Sequence, residues 1–106
     1  MAMKPVYNKD LALNIKLAND VRYQTDPKKT TIELEFCKAL YRKFPDAIDE
    51  KDFVMLVPTD VVSINISRHV KTLEQRGVIR IDVMGKSTLY TLTRDFYNVL
   101  ASMPNI

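Results

Sequence analysis

The stretch INISRHVKTLEQRGVIRIDVMGKSTLYTLT, residues 64–93, decides how the chain is read. Its first half places Ile66, Val70 and Leu73 at intervals of four and three, which puts apolar side chains along one side of a helix. A helix over 65–76 follows, and Gly77 stands where a left-handed stop belongs. Turned away from the apolar stripe are Ser67, Arg68, Lys71, Thr72 and Gln75, with Asn65 at the N-terminal tip and Glu74 bringing negative charge. From Val78 the period drops to two. Ile79, Ile81 and Val83 alternate with Arg80, Asp82 and Met84, GKS supplies a turn, and TLYTLT returns with Tyr90 and Leu92 on one side. That pattern is a β-hairpin over 78–93.

Working outward, residues 9–23 carry Leu11, Ile15 and Ala18 on one helical face and Leu13, Leu17 and Val21 on an adjoining one. The arc is wide for a surface helix, so its burial is completed by a partner chain or by a groove in its own body. A second helix is expected from Thr30, which can accept from the Glu33 backbone while Glu33 reaches back, to about Phe44 before Pro45. Ile32, Phe36, Cys37, Leu40 and Phe44 point inward there, and Glu33, Lys38, Arg42 and Lys43 stay in water. FVMLV at 53–57, ending at Pro58, reads as a short buried strand, and PTDVVS after it as a very short helix. A last helix over 95–103, capped by Thr93 or Asp95, lines up Phe96, Val99, Leu100 and Met103.

No repeat or low-complexity stretch interrupts this order, so one domain over 1–106 is expected, mainly α with a small β-sheet. Cys37 is the only cysteine, which rules out an internal disulfide and a cysteine-built zinc site. No apolar run approaches a membrane span and no basic leader precedes an apolar segment, so a cytoplasmic address is expected. With one histidine, two glycines and no paired carboxylates around a pocket, the chain offers nothing to build a nucleophile, a metal centre or a phosphate loop. We therefore expect no enzyme and no cofactor. The net charge of +3 is modest, but its placement is uneven: residues 61–94 hold six Lys/Arg (68, 71, 76, 80, 86, 94) against Glu74 and Asp82, while 45–57 is acidic.

ISRHVKTLEQRGVI followed by GKSTLYTLT resembles the winged helix-turn-helix superfamily of small bacterial, phage, plasmid and archaeal DNA-binding proteins. The resemblance covers residues 59–93 well and the flanking helices in outline. It implies a core over 30–93, with a recognition helix at 65–76, a wing at 78–93 and flanking helices at 9–23 and 95–103. It also implies a sequence-specific binder of double-stranded DNA, such as a transcriptional repressor on a repeated or palindromic site. In that role Arg68 and Lys71 reach guanine edges or phosphates, and Asn65 pairs with adenine. Ser67 and Thr72 donate to phosphate oxygens, Gln75 completes the face, and Lys86, Ser87 and Arg80 meet the flanking backbone. A homodimer is implied through the flanking helices, with Leu11, Ile15, Ala18, Phe96, Val99, Leu100 and Met103 at the contact.

Two other readings share these residues. A plasmid or phage partition or replication accessory protein would coat iterated DNA sites with the same surface. A winged-helix protein-interaction module would touch no nucleic acid and would use the wing and the acidic loop at 46–52 to hold a protein partner. Taken singly, His69 reads as a half-buried histidine bonded to a neighbour, and Cys37 and the methionines as core filling.

Overall fold

The protein is seen in a computed structural model that describes residues 8–56 and 66–104, without the side chains of 8, 9, 54–56, 66 and 67. Helix α1 spans Asn8–Tyr23. One turn of 3-10 helix at Pro27–Lys29, capped by Asp26, leads directly into α2, Ile32–Lys43. Residues 25–29 thus turn a corner inside one body.

The start of α2 lies one residue later than expected. Thr31, not Thr30, is the N-cap, and its Oγ1 accepts from the Leu34 N–H at 3.1 Å. Thr30 instead donates its hydroxyl to Glu35 Oε1. Glu33 does not fold back to cap the helix, because its carboxylate is engaged by His69 and Arg76.

The expectation of a strand at 53–57 is overturned over its described residues, 53–56. Residues Glu50–Leu56 form a helix, α3, and the strand β1 precedes it at Ile48–Asp49. Asp49 Oδ1 accepts from the Lys51 N–H at 2.9 Å, and Glu50 and Asp52 lie in the first helical turn, where carboxylates complement the helix dipole. An apolar run buries its side chains in either conformation, and here the acids just upstream start a helix. The short helix expected from Pro58 lies outside the described residues.

Helix α4 spans Ile66–Gln75, and Gly77 ends it at φ 75. Strands β2, Ile79–Met84, and β3, Ser87–Leu92, then pair antiparallel, with Met84 opposite Ser87 across a two-residue turn in which Gly85 has φ 63. Strand β1 joins on the other side, Ile48 opposite Tyr90, so the sheet order is β1-β3-β2. Helix α5 closes the chain at Arg94–Ser102, with Thr93 as the N-cap that accepts from the Phe96 N–H. The protein is therefore mainly helical, with a small three-stranded antiparallel sheet.

The core lies between the helices and one sheet face. Phe36 from α2 packs on Phe53 from α3 (centroids 4.1 Å apart) and on Tyr90 from β3 (5.2 Å). Each such buried side chain is stabilised by roughly 2–3 kcal/mol on transfer from water. From α1, Leu17, Ala18 and Val21 reach this core, so its own body covers half of the wide apolar arc. Leu11, Leu13 and Ile15 remain exposed.

Candidate nucleic-acid interface

Helix α4 has two different sides. Val70 and Leu73 are buried, whereas Arg68, Lys71, Thr72 and Gln75 are exposed. These four recur at i, i+3, i+4 and i+7 and so form one stripe along the helix. Glu74 is exposed beside them. Asn65 lies outside the described residues, as does the side chain of Ser67. Thr72 differs from expectation in one respect: its hydroxyl already donates to the Arg68 carbonyl at 3.1 Å, which leaves it lone pairs rather than a proton for an outside group.

The inward side is anchored by a polar network that sequence reasoning missed. Glu33 Oε2 lies 3.1 Å from His69 Nδ1, and Glu33 Oε1 lies 3.6 Å from an Arg76 terminal nitrogen. Arg76, whose side chain is only 10% exposed, also donates from Nε to Asn14 Oδ1 at 2.9 Å. Asn14 returns a bond from Nδ2 to the Arg76 carbonyl at 3.0 Å. The C-terminal end of α4 is thereby tied to α1 and α2 at once. Nothing in the spacing of Asn14, Glu33 and Arg76 marks them as partners. The only local sign was a histidine beside the apolar stripe.

Beneath this network Cys37 is fully buried, and burial followed by the nearby Glu33 carboxylate pushes its thiol far above the ordinary range, with Arg76 opposing. Tyr90 is also raised, first by burial and then by Glu50.

The hairpin runs from the core out into solvent. Ile79 is buried, Ile81 partly so, and Val83, on the same face, is 71% exposed. Lys86 is exposed in the turn with Ser87 beside it. Arg80 is exposed but not isolated, because its Nε donates to Asp82 Oδ2 at 3.0 Å. The acidic stretch falls at the start of α3, with Asp46, Glu50 and Asp52 exposed.

The residues expected at a dimer contact divide. Leu11, Ile15 and Val99 are about half exposed and line a groove of about 250 Å³ between α1 and α5, with Asn14 and Arg76 at its floor. Ala18 and Leu100 are sealed in the chain's own core, and Phe96, though buried in that core too, lines the same groove. Met103 is partly buried, and its carbonyl accepts from Arg22.

Among the described residues no group of three or more His, Cys, Asp or Glu is placed to hold a metal, and no helix is long and apolar enough to cross a membrane. Set against family models, curated proteins and solved structures, the chain matches none of them.

Proposed function

We propose that this chain is a winged helix-turn-helix protein that binds duplex DNA sequence-specifically and regulates transcription, as a repressor on a repeated or palindromic site. The observation that carries this reading is the exposed stripe Arg68, Lys71, Thr72 and Gln75 on a helix whose other side is sealed by Val70 and Leu73. A rigid helix with a polar outer face is what a major groove admits. The element order supports it. With α3 at 50–56 in place of a strand, α2, β1, α3, α4 and the β2–β3 hairpin follow one another as in a winged helix, and β3 lies between β1 and β2.

In this reading Arg68 and Lys71 read bases or hold phosphates, and Lys86 grips the flanking backbone. Arg80 donates its Nε to Asp82 and turns its terminal nitrogens to the flanking backbone beside Ser87. The dimer rests on Leu11, Ile15 and Val99, the expected contact residues that stay exposed on the flanking helices. A two-fold pair would place two copies of α4 about one turn of DNA apart.

Selection of bound sequences from a random duplex pool, with the mass of the complex measured alongside, tests the reading. A single enriched, two-fold site bound by two chains is the expected result. No enrichment, and binding that does not weaken as salt rises, would sink it.

A further inference from the structure

Strand β2 is an edge of the sheet, paired with β3 along one side. The two-residue turn fixes where its backbone groups point. Met84 stands directly opposite Ser87 across that turn, so the two exchange both of their N–H···O=C bonds, and every second pair along the ladder does the same. Met84, Asp82 and Arg80 therefore bond inward to β3, while Ile79, Ile81 and Val83 turn their N–H and C=O groups to the open edge. Among the described residues no partner meets them there.

The side chains divide in the same way. Ile79, Ile81 and Val83 lie on the face turned to the core, and Val83, beyond the end of that core, is 71% exposed. Arg80 and Asp82 share the opposite face, where the Arg80 Nε donates to Asp82 at 3.0 Å and the guanidinium keeps further donors for a second carboxylate. Charges along an edge ordinarily ward off another strand. An arginine and an aspartate two positions apart do the reverse when the arriving strand is the same strand running the other way.

We infer that the open edge of β2 is built for a second copy of this chain, whose own β2 joins it antiparallel about a two-fold axis at Ile81. In that register Ile81 faces itself, Ile79 faces Val83, and Arg80 of each copy faces Asp82 of the other, so the outward backbone groups meet one another and every charge stands beside its opposite. A register centred on Arg80 or on Asp82 would set like charges face to face, and one centred farther out would leave half of the strand unpaired. The edge thus selects one partner and one alignment. Val83, left in water by its own body, gains an apolar neighbour. A single pair of strands falls short of the roughly 1,200 Å² that a lasting interface buries, so the contact is weak, adds to the α1–α5 contact and forms where copies are crowded. It needs no DNA.

Oxidative cross-linking of the whole chain at high concentration tests the alignment. Two residues facing each other on the axis have Cα atoms about 5.5 Å apart, in reach of a disulfide, whereas a residue one position off the axis lies about 7–8 Å from its own copy. Ile81→Cys should therefore join two chains about tenfold faster or more than Arg80→Cys or Asp82→Cys. Cys37 is fully buried and does not compete. Sedimentation of the chain carrying Leu11→Lys and Ile15→Lys, at rising concentration, separates this contact from α1, and weak two-chain association is expected. Arg80→Asp should abolish it, and Asp82→Arg added to Arg80→Asp should restore it, because the exchange again sets unlike charges opposite, with circular dichroism checking that each variant is folded. Equal cross-linking at the three positions, association indifferent to Arg80→Asp, or an exchanged chain that does not recover would overturn the inference.

Discussion

Asn14 and Arg76, sixty-two positions apart, hold each other by two hydrogen bonds, one from the Arg76 guanidinium to the amide oxygen and one from the amide nitrogen to the Arg76 carbonyl. The second bond caps an otherwise open carbonyl at the end of α4, and the first steadies a guanidinium that also faces Glu33. Breaking one side leaves a nearly buried group without its partner. Arg76→Ala should therefore cost about 2–4 kcal/mol of folding stability, and Asn14→Ala about 1–2. Urea unfolding of both single variants and the double variant checks this, and a coupling below about 0.5 kcal/mol would mean that the pair does not act as a unit.

The stripe on α4 and the hairpin tip are expected to fail in different ways. Arg68→Ala should cost about 1–3 kcal/mol and relax preference at one base position. Lys86→Ala should weaken binding on all sequences alike and lower the slope of log affinity against log salt by about one. Paired titrations on the selected site and on random duplex distinguish the two. Equal losses for Arg68→Ala on both would reassign that residue to a phosphate.

Assembly tests the exposed half of α1. Leu11→Lys with Ile15→Lys places charge on side chains already about half in water, so the fold should hold while two-chain association weakens. Sedimentation should show the mass falling toward that of one chain with the circular dichroism unchanged. An unaltered mass would remove α1 from the contact.

Alkali should unfold the protein through two buried groups. Cys37 and Tyr90 both have folded values raised above their ordinary 9.0 and 10.0, so the unfolded chain releases those protons first as pH rises. Their contribution is complete below about pH 9 and declines above it, at up to about 1.4 kcal/mol per pH unit for each group. Urea midpoints between pH 7 and 10.5 should fall accordingly. Cys37→Ala should flatten the part of the decline that begins near 9, and a thiol reagent should modify Cys37 only as fast as the chain unfolds.

The elements legible in the sequence were those whose signals are local. The three-and-four spacing of Val70 and Leu73, the change to period two after Val78, and Gly77 at the junction are printed in neighbouring residues, and helix, hairpin and glycine stop all occur where those signals fall. Distant partners leave no such local mark. An apolar run such as FVMLV suits helix and strand alike, and the choice is made by Asp49 at the helix start and by Ile48 pairing with the distant Tyr90. Glu33 faces outward by its helical position, yet His69 and Arg76 come to meet it from a segment far along the chain. The same limit divided the flanking-helix residues, since periodicity marks Ala18 and Ile15 alike as apolar and only packing separates the sealed one from the open one.

Thr93 is the single residue between β3 and α5, and its hydroxyl is bound on three sides at that joint. Lending α5 to another copy would open that joint and break all three of those bonds at once.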